Sequence, residues 1–462
     1  MQLAWRNLNK PEVLVHLIFA VLLVLAGLFY EERLVADSGY YVFRVINNQS
    51  FWVEHDRYIL ALSQIAPWVG VHLGLSLKAI LVLHSLGHVL FFYSVYWIAR
   101  YLLKFKPAGP LLLLLQLLGI QEGFFVPMFE LYYAAGLCVL LLAIWRHPQK
   151  RLHYWALPPI AFFILTSHLY AYIMLGLLIA LQFVENGWSQ RKQYLLLLTV
   201  MAGVSVLKKF NVSPYEEGKI NAFISTLKHA QYDWSYLKNL AAFLSQHYLA
   251  LLLVLFASLG MLLKAKKWQQ PILILGSFLA TLVLVNISHY GFETSRYQEQ
   301  VYFTLSFIVA LPFALSFFKG QKASKAPFGL WLLLLLVISY QISGILKTSG
   351  KFTGRMQEMQ SLISQARLQT GTKFSVAEDY LQYDPNWSYP LETLLFSSQN
   401  GPEHSLTICT QTDYTFGENP KRLTDRNTYL FRRWEVYPLQ RLNPTYFRLK
   451  ADIYRGLKQA QQ

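Results

Sequence analysis

Uninterrupted apolar runs constrain this chain more than any other feature. Val13–Tyr30, Leu249–Leu263 and Trp331–Leu346 contain no Asp, Glu, Lys or Arg. At about 1.5 Å per helical residue they reach, or nearly reach, across a bilayer core of about 30 Å. Composition agrees: 54% of the 462 residues are hydrophobic and 14% charged, against roughly 25% charged in soluble domains. The expected fold class is an all-α polytopic membrane protein. Val13–Tyr30 is followed by Glu31-Glu32-Arg33 rather than by a small-residue cleavage site, so it is expected to remain as the first helix.

Apolar segments fall near 12–30, 78–99, 108–120, 126–145, 154–166, 170–184, 194–207, 242–263, 271–288, 301–318 and 327–346, about eleven crossings in all. One alternate set of connections holds Arg6/Lys10, Arg100/Lys104/Lys106, Arg146/Lys150/Arg151, Arg191/Lys192, Lys264/Lys266/Lys267 and Lys319/Lys322/Lys325. Short basic loops mark the cytoplasmic side. The alternation requires 154–184 to cross twice, turning near Ser167-His168. A single tilted helix is the competing reading, and it would place the later basic loops outside. The other connections are then external, and two are long: 31–77 and 208–240. Long loops in a compact protein are more often functional than decorative.

The net charge of +16 does not point to nucleic acid, because many of the basic residues sit in short loops between apolar segments. Cys138 lies in an apolar segment and Cys409 in the tail, which implies neither a disulfide framework nor a metal-type Cys/His spacing. From about 349 to 462 the character changes. Short alternating runs (Lys373–Val376, Leu406–Thr410, Tyr429–Val436) stand beside helix-like stretches at Met356–Arg367 and Ala451–Ala460. A small external α/β domain is expected there, following a membrane domain over 1–348.

Candidate chemistry concentrates on the external side. Asp37 opens a helix-like stretch just past the first segment, where a carboxylate among aromatics can serve as a general base or bind a hard cation; it can equally be a helix N-cap. Glu54-His55-Asp56-Arg57 offers two carboxylates, an imidazole and a guanidinium in the same loop, or a solvated cluster ahead of an amphipathic helix at Tyr58–Ala66 lying along the membrane. Glu130 falls inside an otherwise apolar segment, and an intramembrane carboxylate is functional by default; the alternative is snorkelling or a bond to a tyrosine. Glu122 lies close by, on the same side. His168 sits at an external turn, as a ligand or as a structural residue. Pro214–Lys219 places Glu216, Glu217 and Lys219 in the second long loop, where most charge runs are merely solvated. Arg296 with Tyr297 precedes a late segment, where a guanidinium suits a lipid-linked phosphate or anchors to headgroups.

There is no Walker A loop, no Gly-x-Ser-x-Gly and no His-Glu-x-x-His. Charged residues do not recur within the cores of the segments, which weakens an ion-coupled transporter. Asn-x-Ser matches at Asn48, Asn211, Asn286 and Asn386 are read as chance.

Taken together, Asp37 at the entrance of a long first external loop, the amphipathic stretches behind it, the long loop after the seventh segment and Arg296-Tyr297 before a late helix resemble the GT-C superfamily of membrane glycosyltransferases. The resemblance covers roughly 1–320. It implies sugar transfer from a polyprenyl-phosphate-linked donor on the external face, with inversion. Asp37 would be the base, and Glu54, Asp56, Glu122 or Glu130 would orient the acceptor or bind a divalent cation (Mg or Mn). Arg296, His168, Arg57 and Tyr297 would hold the donor phosphate. A bacterial inner membrane, a cytoplasmic N-terminus and a periplasmic C-terminal domain are implied in the same way. Two departures stand out: no clean Asp-x-Asp follows the first helix, and Trp-Trp-Asp-Tyr-Gly is missing, which argues against protein N-glycosylation. The competing functions are a flippase for a lipid-linked substrate and a non-catalytic membrane subunit of an envelope-assembly complex.

Overall fold

Leu, Ile, Val and Phe dominate the first three hundred residues, and a computed structural model of the chain turns nearly all of them into helix. It describes residues 10–229, 234–288, 295–318, 328–383, 385–416 and 422–457. Arg6, the basic loop at 319–325 and residues 289–294 lie outside these.

The helices are α1 Lys10–Leu28, α2 Asp37–Asn48, α3 Leu60–His72, α4 Leu77–Trp97, α5 Ala108–Leu117, α6 Glu130–Trp145, α7 Lys150–Leu165, α8 Ala171–Asn186, α9 Arg191–Phe210, α10 Pro214–His229, α11 Trp234–His247, α12 Leu249–Lys264, α13 Gln269–Ser288, α14 Ser295–Phe318 and α15 Phe328–Arg367. Among the described residues five helical stretches are long and apolar enough to cross a membrane, or six if the pair Leu240–His247 and Leu249–Lys264, bent by 78°, forms one span. This is fewer than the eleven expected. The reason is length: the apolar helices Glu12–Leu28, Ala108–Leu117 and Glu130–Trp145 stop short of the roughly 20 residues that a spanning helix needs.

Two places locate the chain reversals. Between α7 and α8 the helix breaks at 166–170, where the Ser167 hydroxyl donates to the Ile164 carbonyl (2.5 Å); the sequence reading had put a turn there. Between α8 and α9 the break is Gly187, at φ 54°. The Tyr194 hydroxyl donates to the Gln182 carbonyl at 3.0 Å, a contact impossible along a straight helix, where a separation of 12 residues spans about 18 Å.

A helix apolar on every face belongs in an interior, and α5 and α14 behave so. The apolar window of α14 is 94% buried by other helices, against 33% for α13. On α13 the exposed residues Ile272, Leu275, Leu279 and Val283 form one stripe at helical spacing, a face suited to lipid.

The C-terminal domain holds a parallel three-stranded sheet in the order β2 (Thr407–Thr410), β1 (Lys373–Val376) and β5 (Arg455–Gly456), beside an antiparallel hairpin of β3 (Thr428–Arg432) and β4 (Glu435–Pro438). α16 (Tyr389–Ser397) lies against β2 and β3. Two expectations change here. The stretch from Ala451 is not helical as far as it is described, because Arg455 and Gly456 pair with Phe374 and Ser375; 458–460 lie outside the described residues. Met356–Arg367 is not a separate helix either: α15 runs without a break for 40 residues from the apolar segment into the tail.

The tail does not build its core alone. Val42, Phe43 and Ile46 of α2 are fully buried, and the Phe43 ring packs against Phe431 (5.0 Å) and Phe447 (5.1 Å). The long loop that carries α2 is therefore the layer between the helical bundle and the sheet.

Candidate functional site

Where these three layers meet there is a cavity of about 960 Å³, within the size range of small-molecule sites. Its walls come from the start of α2, the 54–57 turn, the 126–130 segment, the 168–170 turn, α10, the ends of α13 and α14, and the C-terminal domain. Among the residues picked out from sequence, Asp37, Glu54, Arg57, Glu130, His168, Arg296 and Tyr297 line it together.

Asp37 is the first residue of α2. The N-cap position is Ala36, whose methyl side chain has no acceptor, so the carboxylate of Asp37 is not the cap. It is open to the cavity, but the cavity is sunk in protein. That surrounding burial, reinforced by Glu130, pushes the Asp37 carboxyl up to about 6, with Arg296 and Arg57 pulling the other way. A carboxyl tuned toward neutrality is what a general base requires.

The 50s loop is rigid. Gln64 and Trp52 exchange hydrogen bonds, with the Trp52 N–H donating to Oε1 (2.7 Å) and Nε2 donating to the Trp52 carbonyl (2.7 Å). The Trp52 indole donates to Glu54 (3.1 Å), as does the Tyr40 phenol. His55 and Asp56 are both left-handed, at φ 54° and 55°. This tight turn aims His55 and Arg57 inward and leaves Asp56 exposed, off the cavity wall. Arg57 then donates to Glu130 (2.7 Å) and to Glu216 of α10 (3.3 Å). At the 168–170 turn the His168 Nδ1 accepts from the Tyr170 N–H (3.2 Å), which holds the ring at the start of α8. Arg296 and Tyr297 enter from the first turn of α14.

Glu122 is not brought in; its carboxylate pairs with Lys351 of α15 at 3.3 Å. Nor do the carboxylates gather into a metal cage. Among the described residues no three His, Cys, Asp or Glu side chains are placed to hold an ion, and Glu54 and Glu130 are taken up by Tyr40, Trp52 and Arg57. The donor set does not fit the Mg or Mn site that the sequence resemblance implied.

Sequence reasoning gave little weight to Glu216 and Lys219, because a charge run in a loop is usually solvated; here α10 carries both to the cavity wall. It missed Trp387, Arg432 and Trp434 altogether. These residues of the tail form the far wall, with the two indoles 5.3 Å apart and the Arg432 guanidinium 4.5 Å from the Tyr40 ring. Nothing local in the sequence could have placed them there. One flank is mostly apolar: Leu169, Ile220, Phe223, Leu284 and Val301 line it, with Ser288 and Gln300 among them, and Leu169 and Ile220 are exposed. The cavity thus joins a charged end to an apolar flank.

No family model matches the chain, and no curated protein or solved structure matches it either.

Proposed function

We propose that the protein is a membrane glycosyltransferase of GT-C type, moving a sugar from a polyprenyl-phosphate donor to an acceptor hydroxyl at the external membrane face. The single observation that carries this reading is that Asp37 and Arg296, from opposite ends of the bundle's sequence, line one cavity with an apolar flank.

The chemistry follows from the wall. Asp37 takes the proton of the acceptor hydroxyl as its oxygen attacks the anomeric carbon. The bond from that carbon to the phosphate oxygen breaks, its electron pair stays on the phosphate, and the configuration inverts. Fixed positive charge at Arg296, assisted by His168, offsets the growing negative charge of the leaving polyprenyl phosphate. The apolar flank at Leu169, Ile220, Phe223 and Leu284 gives the prenyl chain a way to remain in lipid. Trp387 and Trp434 offer flat faces for a sugar ring, with Arg432 beside them.

Orientation is inferred from the helix ends. Glu130 opens α6 at the cavity, and Arg146, at the other end some 24 Å away, pairs with Glu185 near the end of α8 (2.6 Å). The basic loop at Arg146/Lys150/Arg151 thus lies at the far end of α6 from the cavity, which supports an external cavity under positive-inside bias. We place the protein in a bacterial inner membrane with the C-terminal domain periplasmic.

The test is release of free polyprenyl phosphate from a panel of radiolabelled polyprenyl-phosphate sugars in proteoliposomes. Release by the wild type that Asp37→Asn abolishes supports the reading. Transbilayer movement of intact donor, with none cleaved, favours a flippase instead.

A further inference from the structure

Asp37 is held in place by a residue of the C-terminal domain that never touches the cavity. Ala36, its neighbour, has φ 53° and ψ −122°, a conformation that glycine adopts freely and an L side chain resists. Such strain persists only where the surroundings over-determine it, and here they do. The Ala36 N–H donates to Glu392 Oε1 at 3.0 Å. On the following residues, the Ser38 hydroxyl accepts from the Met128 N–H (3.2 Å), and a side chain at Gly39 would run into the Leu34 carbonyl oxygen at 2.3 Å.

Glu392 is itself fixed. It is fully buried on α16 and takes hydrogen bonds from Ser388 Oγ (2.5 Å), Asn386 Nδ2 (2.8 Å) and Arg355 Nη1 (2.6 Å). Burial works to raise its carboxyl, but Arg355 and these hydrogen bonds hold it below the usual range. A buried, charged, immobile acceptor is thus aimed at one strained amide next to the proposed base.

We infer that Glu392 is a positioning residue: by fixing the Ala36 amide it holds the Asp37 carboxylate in the cavity, which makes the C-terminal domain an integral part of the catalytic site. The inference rests on Asp37 being the base, whereas the anchoring itself is independent of which reaction takes place.

The test uses the full chain in lipid nanodiscs. Glu392→Asp keeps the charge facing Arg355 but withdraws the oxygen from Ala36. It is expected to lower kcat by roughly a hundredfold, the scale of a misplacement of about 1 Å, with KM for the donor little changed. Ala36→Gly added to it supplies the same backbone conformation without strain and should restore most of kcat. A simple packing defect would not be rescued in this way. In parallel, carbodiimide labelling of Asp37, located by peptide mass, should change severalfold in Glu392→Asp and return in the double variant. Full kcat in Glu392→Asp, or a loss that Ala36→Gly does not repair, overturns the inference. If the wild type cleaves no donor, the labelling decides alone: a shift that reverts keeps the anchoring while the transferase reading falls, and unchanged labelling removes the anchoring as well. Should Glu392→Asp not fold, Ser388→Ala, which strips one donor from the same carboxylate, is measured by the same two readouts and judged the same way.

Discussion

Arg57 lies 2.7 Å from Glu130 and 3.3 Å from Glu216, so one guanidinium ties together the loop that follows α2, the start of α6 and the helix α10. All three surfaces wall the same cavity, and the ion pairs are mostly shielded from solvent. Arg57→Ala removes the cation that these two carboxylates share. It should cost about 2 kcal/mol, the scale of a lost charged hydrogen bond, seen as a lower melting temperature in detergent. Arg57→Lys should recover only part of this, because an ammonium cannot fork to two partners.

The raised carboxyl of Asp37 fixes the sign of the pH dependence. The base must be ionised to accept a proton, so transfer should fall as pH drops through about 6 and level off above it. Asp37→Asn should lose at least about a hundredfold in rate at every pH. Stability runs the other way. A group whose folded value is raised binds more protons in the native state, so its contribution to stability is lost as pH rises from the ordinary value of 3.8 through about 6 and is constant above that. At neutral pH Asp37→Asn is expected to melt at the same temperature as the wild type or slightly higher, measured by thermal unfolding. A marked drop in melting temperature would count against a catalytic reading of the carboxylate.

Arg296 carries the phosphate assignment. Arg296→Ala should weaken donor binding by roughly tenfold to a hundredfold, as expected for one charge-assisted contact, in a detergent binding assay with a polyprenyl-phosphate sugar. Unchanged affinity would remove the phosphate contact from the scheme. The acceptor should bind as before, because the proposed acceptor wall at Trp387 and Trp434 is left intact.

The tail's wall makes an opposite forecast. Trp434→Ala removes one face of the indole pair and should raise KM for the acceptor by about tenfold, the scale of an aromatic contact. The KM for the donor should stay near its wild-type value. Steady-state kinetics with each substrate varied in turn separates the two.

Much of this site could be read from the chain because its polar residues sit at ends of apolar runs. Asp37, His168 and Arg296 lie just outside apolar segments and Glu130 in the outer part of one, and all four line one cavity. Periodicity also located β1, and the alternation of basic loops located the turn at 166–170. What could not be read is what three dimensions add. Glu122 lies at a segment end as well, yet α15 continues past the expected break and brings Lys351 to it. Asp56 is turned outward by two left-handed residues that no composition rule foretells. Trp387, Arg432 and Trp434 carry no signal at all, since only the docking of the hairpin and of the segment before α16 on α2 makes them part of the wall. The number of crossings was overcounted for a related reason: hydropathy reports how apolar a run is, not how many of its residues stay in one straight helix.

The unbroken α15 has a mechanical consequence. Forty residues of helix make a rod about 60 Å long, apolar at one end and bearing Arg355 well along its polar half. A lean of ten degrees at the lipid end sweeps the far end through about 10 Å. Packing against neighbours sets the tilt of such helices; Met356, Met359 and Ile363 are buried in the core of the C-terminal domain, and Arg355 grips the carboxylate that fixes Ala36. α15 is therefore one rigid strut that joins the apolar segment to the anchor beside Ala36.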